Sequence, residues 1–144
     1  MVNWRRFDIE AFLKASKGWD EDIEKLQRDL DCLPELPAVS NDSGIHSGNI
    51  SDLTAQTVIK KLKIQADIEE IRLNEEMLVY AVRRLSEDEI RLLKGFFYPR
   101  KPIGIFVQEY GLDHGLGKNL VYAEREKLLE KMRMLIEGEF YGEE

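Results

Sequence analysis

Two runs of apolar residues, stepping by alternate fours and threes through a charged background, set the strongest limit on what this chain can become. In the first, Phe12, Trp19, Ile23, Leu26, Leu30 and Leu33 keep the spacing, with small Ser16 at the vacant step. In the second, Ile64, Ile68, Ile71, Leu78, Val82 and Leu85 keep it, with Glu75 interrupting the stripe. Such spacing puts one narrow apolar seam on a helix, and no segment shows the period of two that a half-buried strand needs. The chain is therefore expected to be all-α. The first helix is expected over about 7–33, with a charged far face of Lys14, Lys17, Asp20, Glu21, Glu24 and Arg28. Gly18 is its weak point, costing ~1 kcal/mol relative to Ala, and Pro34 and Pro37 end it. Residues 34–51, rich in Pro, Ser, Asn, Asp and Gly, read as a linker. Ser51 or Asp52 can cap a second helix over about 52–85. Two seams of similar length joined by a linker predict a long antiparallel helical hairpin as a first domain, 1–85. Neither seam is wide enough to bury the other fully, so coiled-coil-like self-association into a homodimer is expected, with Trp4 and Trp19 as anchors.

A second unit, 86–144, begins at a capping box. Ser86 can accept from the backbone of Glu89 while Glu89 reaches back, and Leu85 and Ile90 complete a hydrophobic staple. The helix so started carries Ile90, Leu92, Leu93, Phe96 and Phe97 and stops before Pro99 and Pro102. A short helix, 103–110, offers Ile103, Phe106, Val107 and Tyr110 for burial. Gly111 is expected to end it in the left-handed conformation, and Asp113 to cap the next. The last helix is expected over about 116–136, with Val121, Leu128, Leu129, Met132 and Leu135 inward and a frayed acidic tail from Glu137. A capped helix, a short helix, a tight turn and a longer helix follow the order of a helix-turn-helix, in which the last helix enters the major groove.

Charge and composition exclude several functions. With 21 Lys+Arg against 28 Asp+Glu, the 144-residue chain has a formal net charge of −7, so it cannot attract DNA by bulk charge and any contact needs a local basic patch. Residues 86–144 hold nine basic and twelve acidic side chains, and residues 98–127 five and four, so isolated binding should be weak and salt-sensitive. Cys32, the single cysteine, excludes an internal disulfide and a cysteine-rich zinc site. Two histidines, His46 and His114, have no ligand at helical spacing, so no metal or other cofactor is expected. The glycines from Gly111 to Gly117 lack the spacing and the preceding strand of a phosphate loop. No Ser/His/Asp constellation can be assigned, and an enzyme is not expected. No signal-peptide core and no apolar run near ~18 residues is present, so no membrane association is expected.

The segment 85–132 resembles the region-four helix-turn-helix of bacterial sigma factors. VYAEREKLLEKM, residues 121–132, is close to the V-x6-K-A-L-x-K-L end of that recognition helix, and FVQEYGLD, residues 106–113, fits its I-A-x-x-L-G-I-S stretch with Asp113 in place of the capping serine. Over nearly all its length the chain is similar to small phage late-gene transcription activators of the RinA/ArpU kind, which join an N-terminal helical region to a sigma-like unit. It departs from that pattern at the glycine-rich turn 111–117 and at Gly117, Lys118, Asn119 and Leu120, where arginines or polar residues are usual.

The resemblance and the helical period together place Lys118, Asn119, Tyr122 and Arg125 on the outward face of the last helix. Asn suits adenine, Lys and Arg suit guanine or phosphate, and Tyr suits phosphate or a thymine methyl. Arg100 and Lys101, between the first two helices of the unit, could hold phosphates and set register, and His114 in the turn could touch phosphate. The resemblance implies a sequence-specific transcriptional activator of phage or prophage late genes in the cytoplasm of a bacterial host. Its partners would be double-stranded DNA, RNA polymerase and a second copy of itself. Two other readings remain open at this point: an acidic protein-interaction adaptor or inhibitor that binds no DNA, favoured by the net charge, and a DNA-packaging recognition subunit.

Overall fold

The computed structural model describes residues 7–34 and 48–141. Among them the fold is all-α: α1 (Ile9–Ser16), α2 (Trp19–Asp31), α3 (Gly48–Val82), α4 (Glu87–Phe97), α5 (Ile103–His114) and α6 (Lys118–Phe140). Trp4 and most of the expected linker lie outside the described residues. The single helix expected over 7–33 is two helices. The break falls at Lys17–Gly18, where Gly18 leaves helical geometry with ψ near 1° and opens α2 without a side-chain cap. The second helix starts earlier than expected, at Gly48 rather than near Ser51, and ends at Val82.

The chain forms two compact units, Met1–Lys17 with Glu75–Glu144, and Gly18–Asn74. The division thus falls inside the two expected arm helices rather than at residue 85. In the Gly18–Asn74 unit, Trp19 on α2 and Ile68 on α3 are buried.

In the other unit α4, α5 and α6 pack on one another, and α1 packs on α6. Leu92, Leu93, Phe96 and Phe97 of α4, Phe106, Val107 and Tyr110 of α5, and Val121, Leu128, Leu129, Met132 and Ile136 of α6 are buried together with Leu13 and Phe12 of α1. The capping box starts α4: the Ser86 hydroxyl accepts from Glu89 N–H at 3.2 Å, and Ser86 N–H donates to the Glu89 carboxylate at 2.8 Å. Lys131 of α6 donates to the same carboxylate at 2.7 Å, so one residue both caps α4 and ties it to α6. Burial alone would push the Glu89 carboxyl up, but the hydrogen bonds from Lys131 and Ser86 outweigh it and hold the group below its ordinary value.

Polar ties fasten α1 at both ends. Its entry is pinned where Phe7 N–H donates to Glu137 at 2.9 Å, and Arg133 donates to the same carboxylate at 2.6 Å. At its far end the Ser16 hydroxyl donates to the Leu13 carbonyl, which leaves the Tyr98 hydroxyl to donate to Ser16. Ser16, the vacant step of the apolar seam, is therefore a polar anchor. The tail expected to fray from Glu137 is instead helical to Phe140: Phe140 meets Tyr80 at 5.5 Å and Tyr141 meets Phe7 at 5.8 Å between ring centroids.

Candidate nucleic-acid interface

Of the residues singled out from sequence, His114, Lys118, Asn119 and Tyr122 lie around the junction of α5 and α6, whereas Arg100, Lys101 and Arg125 lie elsewhere. Gly115, not Gly111, is the left-handed residue that ends α5, with φ at 66°. Gly111 stays helical and has a different task. The Leu116 backbone folds back over it, with Leu116 N–H donating to the Gly111 carbonyl at 2.8 Å. A Cβ on Gly111 would stand 2.5 Å from the Leu116 carbonyl oxygen, a contact no larger side chain can share. Two glycines four residues apart thus solve two separate problems of the same turn, one steric and one conformational. Asp113 does not cap α6. It lies within α5 and accepts from Arg91 of α4 at 2.6 Å, while α6 opens at Gly117 with no side-chain cap.

Beyond the turn, Val121 is the buried foot of the first turn of α6, and Lys118, Asn119 and Leu120 stand exposed around it. Lys118 makes no ion pair among the described residues. Tyr122 is 38% exposed and lays part of its ring against Phe96, centroids 5.4 Å apart. Lys118 and Tyr122 share one groove with Gly104, Val107, Gln108, Leu112 and Leu116 of α5 and the turn.

Arg125 does not belong to that exposed set. Only 17% of its side chain is accessible. Its guanidinium lies 5.1 Å from the Phe97 ring centre and 5.5 Å from that of Phe96. It pairs with Glu10 of α1 at 3.4 Å and with neighbouring Glu126. The outward placement expected for Arg125 fails on the helix itself: it stands four residues after Val121 and three before Leu128, in line with the buried stripe of α6, and pairs there with α1.

The remaining candidates separate. Arg100 is exposed and makes no ion pair among the described residues, whereas Lys101 beside it pairs with Glu109. Both line a cleft with Arg91 and Lys94. Lys94 was not singled out from sequence, because its position in the last turn of α4 reads equally as a favourable cation at a helix C-terminus. His114 is not a free turn residue. It ends α5, stacks on Tyr110 at 3.9 Å, donates from Nδ1 to the Tyr110 carbonyl at 3.0 Å, and places Nε2 3.2 Å from Asp88. The hydrogen bond to Tyr110 first, and then the Asp88 carboxylate, hold His114 above the ordinary histidine value.

Among the described residues no group of three or more His, Cys, Asp or Glu side chains is placed to hold a metal ion. No described helix is long and apolar enough to cross a membrane. No family model, curated protein or solved structure matches the chain.

Proposed function

We propose that this chain is a DNA-binding transcriptional regulator of phage or prophage late genes, acting as a homodimer beside RNA polymerase. α5, the Gly115 turn and α6 serve as a helix-turn-helix, and the first turns of α6 enter the major groove. The observation that carries this reading is the start of α6. Behind a turn closed by two glycines, Lys118 and Asn119 project into solvent while Val121, later in the same turn, is fully buried. Asn119 is suited to adenine and Lys118 to guanine or phosphate, with Tyr122 at the groove wall and Arg100 on the flanking backbone. The likeness of residues 106–113 and 121–132 to sigma region four supports the same helix in the same role. With Arg125 committed to Glu10, the reading set is smaller than the sequence implied, which makes reliance on a dimer or on polymerase stronger.

Selection of bound duplexes from a random library, followed by fluorescence anisotropy at low salt, tests the proposal. Asn119→Ala should cost about 1–3 kcal/mol at one base position, and Lys118→Ala should lower the salt slope by about 1. Absence of binding at low salt, with and without polymerase, rejects it.

A specific feature favours a second reading, a protein-interaction adaptor. Leu112 and Leu120 near the same turn are 77% and 55% exposed and Ile105 at the start of α5 is 47% exposed, and exposed apolar side chains in such number mark a protein contact more often than a DNA contact. Partner binding lost in Leu112→Ser with Leu120→Ser, but kept in Lys118→Ala, would support it.

A further inference from the structure

Within the Gly18–Asn74 unit, α3 carries two apolar faces. One is half-buried or buried: Ile64, Ile68 and Ile71. The other is in solvent: Ile59, Leu62 and Leu73 are 64%, 59% and 47% exposed, and Ala66 is exposed with them. Ile59, Ala66 and Leu73 are spaced by sevens and Leu62 follows Ile59 by three, so the four share one seam of period 3.5. From Ile59 to Leu73 the seam is ~21 Å long. Isolated surface leucines need no explanation, but a continuous seam of coiled-coil spacing does.

The charges beside the seam decide what fits it. Lys60, Lys61 and Lys63 lie in its first half, and in its second Asp67, Glu69 and Glu70 outnumber the single cation Arg72. A parallel copy would set like charge against like; an antiparallel copy sets each half against its opposite. We propose that a second copy of this chain docks antiparallel on this face of α3. Centred midway between Leu62 and Leu73, the pair sets each Leu62 opposite the Leu73 of the second copy. Small Ala66 lets the helices approach and leaves Glu69, at the remaining core-facing step, a path to water. The flanking positions then bring Lys63 against Glu70 of the second copy, and two-fold symmetry makes that pair twice. Neither Lys63 nor Glu70 has an ion pair among the described residues of its own chain.

Sedimentation equilibrium of the full chain over a micromolar concentration series, without DNA, tests this independently of the DNA-binding reading. The wild type should sediment at twice its 16.8 kDa chain mass. Lys63→Glu and Glu70→Lys, each alone, should raise the dimer dissociation constant about 10-fold or more, because both symmetric pairs become repulsive. Combining the two in one chain should restore the dimer, and so should mixing the two single variants. Leu62→Lys should give a folded monomer by circular dichroism. A monomeric wild type, indifference to the single reversals, or a double reversal that fails to restore the dimer would each overturn the proposal.

Discussion

Gly111→Ala and Gly104→Ala make the same chemical change in the same helix and should move stability in opposite directions. At Gly111 the new Cβ would sit 2.5 Å from the Leu116 carbonyl oxygen, where ordinary contact begins at 3.4 Å. The Leu116 carbonyl must therefore retreat by about 0.9 Å. Its own N–H donates to Gly111 at 2.8 Å, so the retreat also loosens that bond. Overpacking costs ~1–3 kcal/mol, the weakened hydrogen bond ~1 kcal/mol, and the better helix propensity of Ala offsets ~1 kcal/mol. The net loss is about 1–3 kcal/mol by these figures. At Gly104 nothing lies within 4 Å of the added Cβ, so the propensity gain stands alone at ~0.5–1 kcal/mol. Urea unfolding followed by far-UV circular dichroism reads both as shifts of the midpoint at constant slope. Because the Leu116 backbone leads into α6, Gly111→Ala should also weaken DNA binding more than its stability loss explains. A Gly111→Ala protein as stable as Gly104→Ala would refute the close approach and the placement of α6 built on it.

Arg125→Ala should behave as a structural variant, losing about 1–2 kcal/mol through its covered aromatic rings and its Glu10 partner. A double-mutant cycle with Glu10→Gln should show coupling, whereas Lys118→Ala should leave stability within about 0.5 kcal/mol of wild type. Equal stability of Arg125→Ala and wild type would return Arg125 to the candidate reading face. His114, raised on folding above 6.5, contributes stability that is complete below that value and is lost as pH climbs through the higher folded value. The contact between α4 and α5 should accordingly weaken above a pH of about 6.5, and Asp88→Asn should flatten that dependence. An NMR titration placing His114 at or below the ordinary histidine midpoint would contradict the Tyr110 and Asp88 contacts.

Local signals in the chain carried the element types and several of their limits. The period of the apolar residues is a property of one helix, and so is the reciprocal bonding of Ser86 and Glu89, which forms as the spacing requires. Pro99 and Pro102 bound α4 and α5 because proline acts within one turn of itself. Most of the inward residues of α4 to α6 were legible for the same reason, although Ile103 is 39% exposed and Ile136, unnamed from sequence, is fully buried.

What the chain alone determined was therefore how each stretch would coil, since that depends on neighbours within about four residues. Only tertiary packing decided which helix faced which, because a charged helix with one apolar seam carries no unique address for its partner. It chose α6 for α1, through Phe7 with Glu137 and through Glu10 with Arg125. The spacing from Val121 to Leu128 already put Arg125 on the inner stripe of α6, and that choice gave it Glu10 as a partner and turned Glu137 from a tail residue into an anchor. It likewise divided the labour between Gly111 and Gly115, since a steric need at Leu116 cannot be seen until the turn has closed.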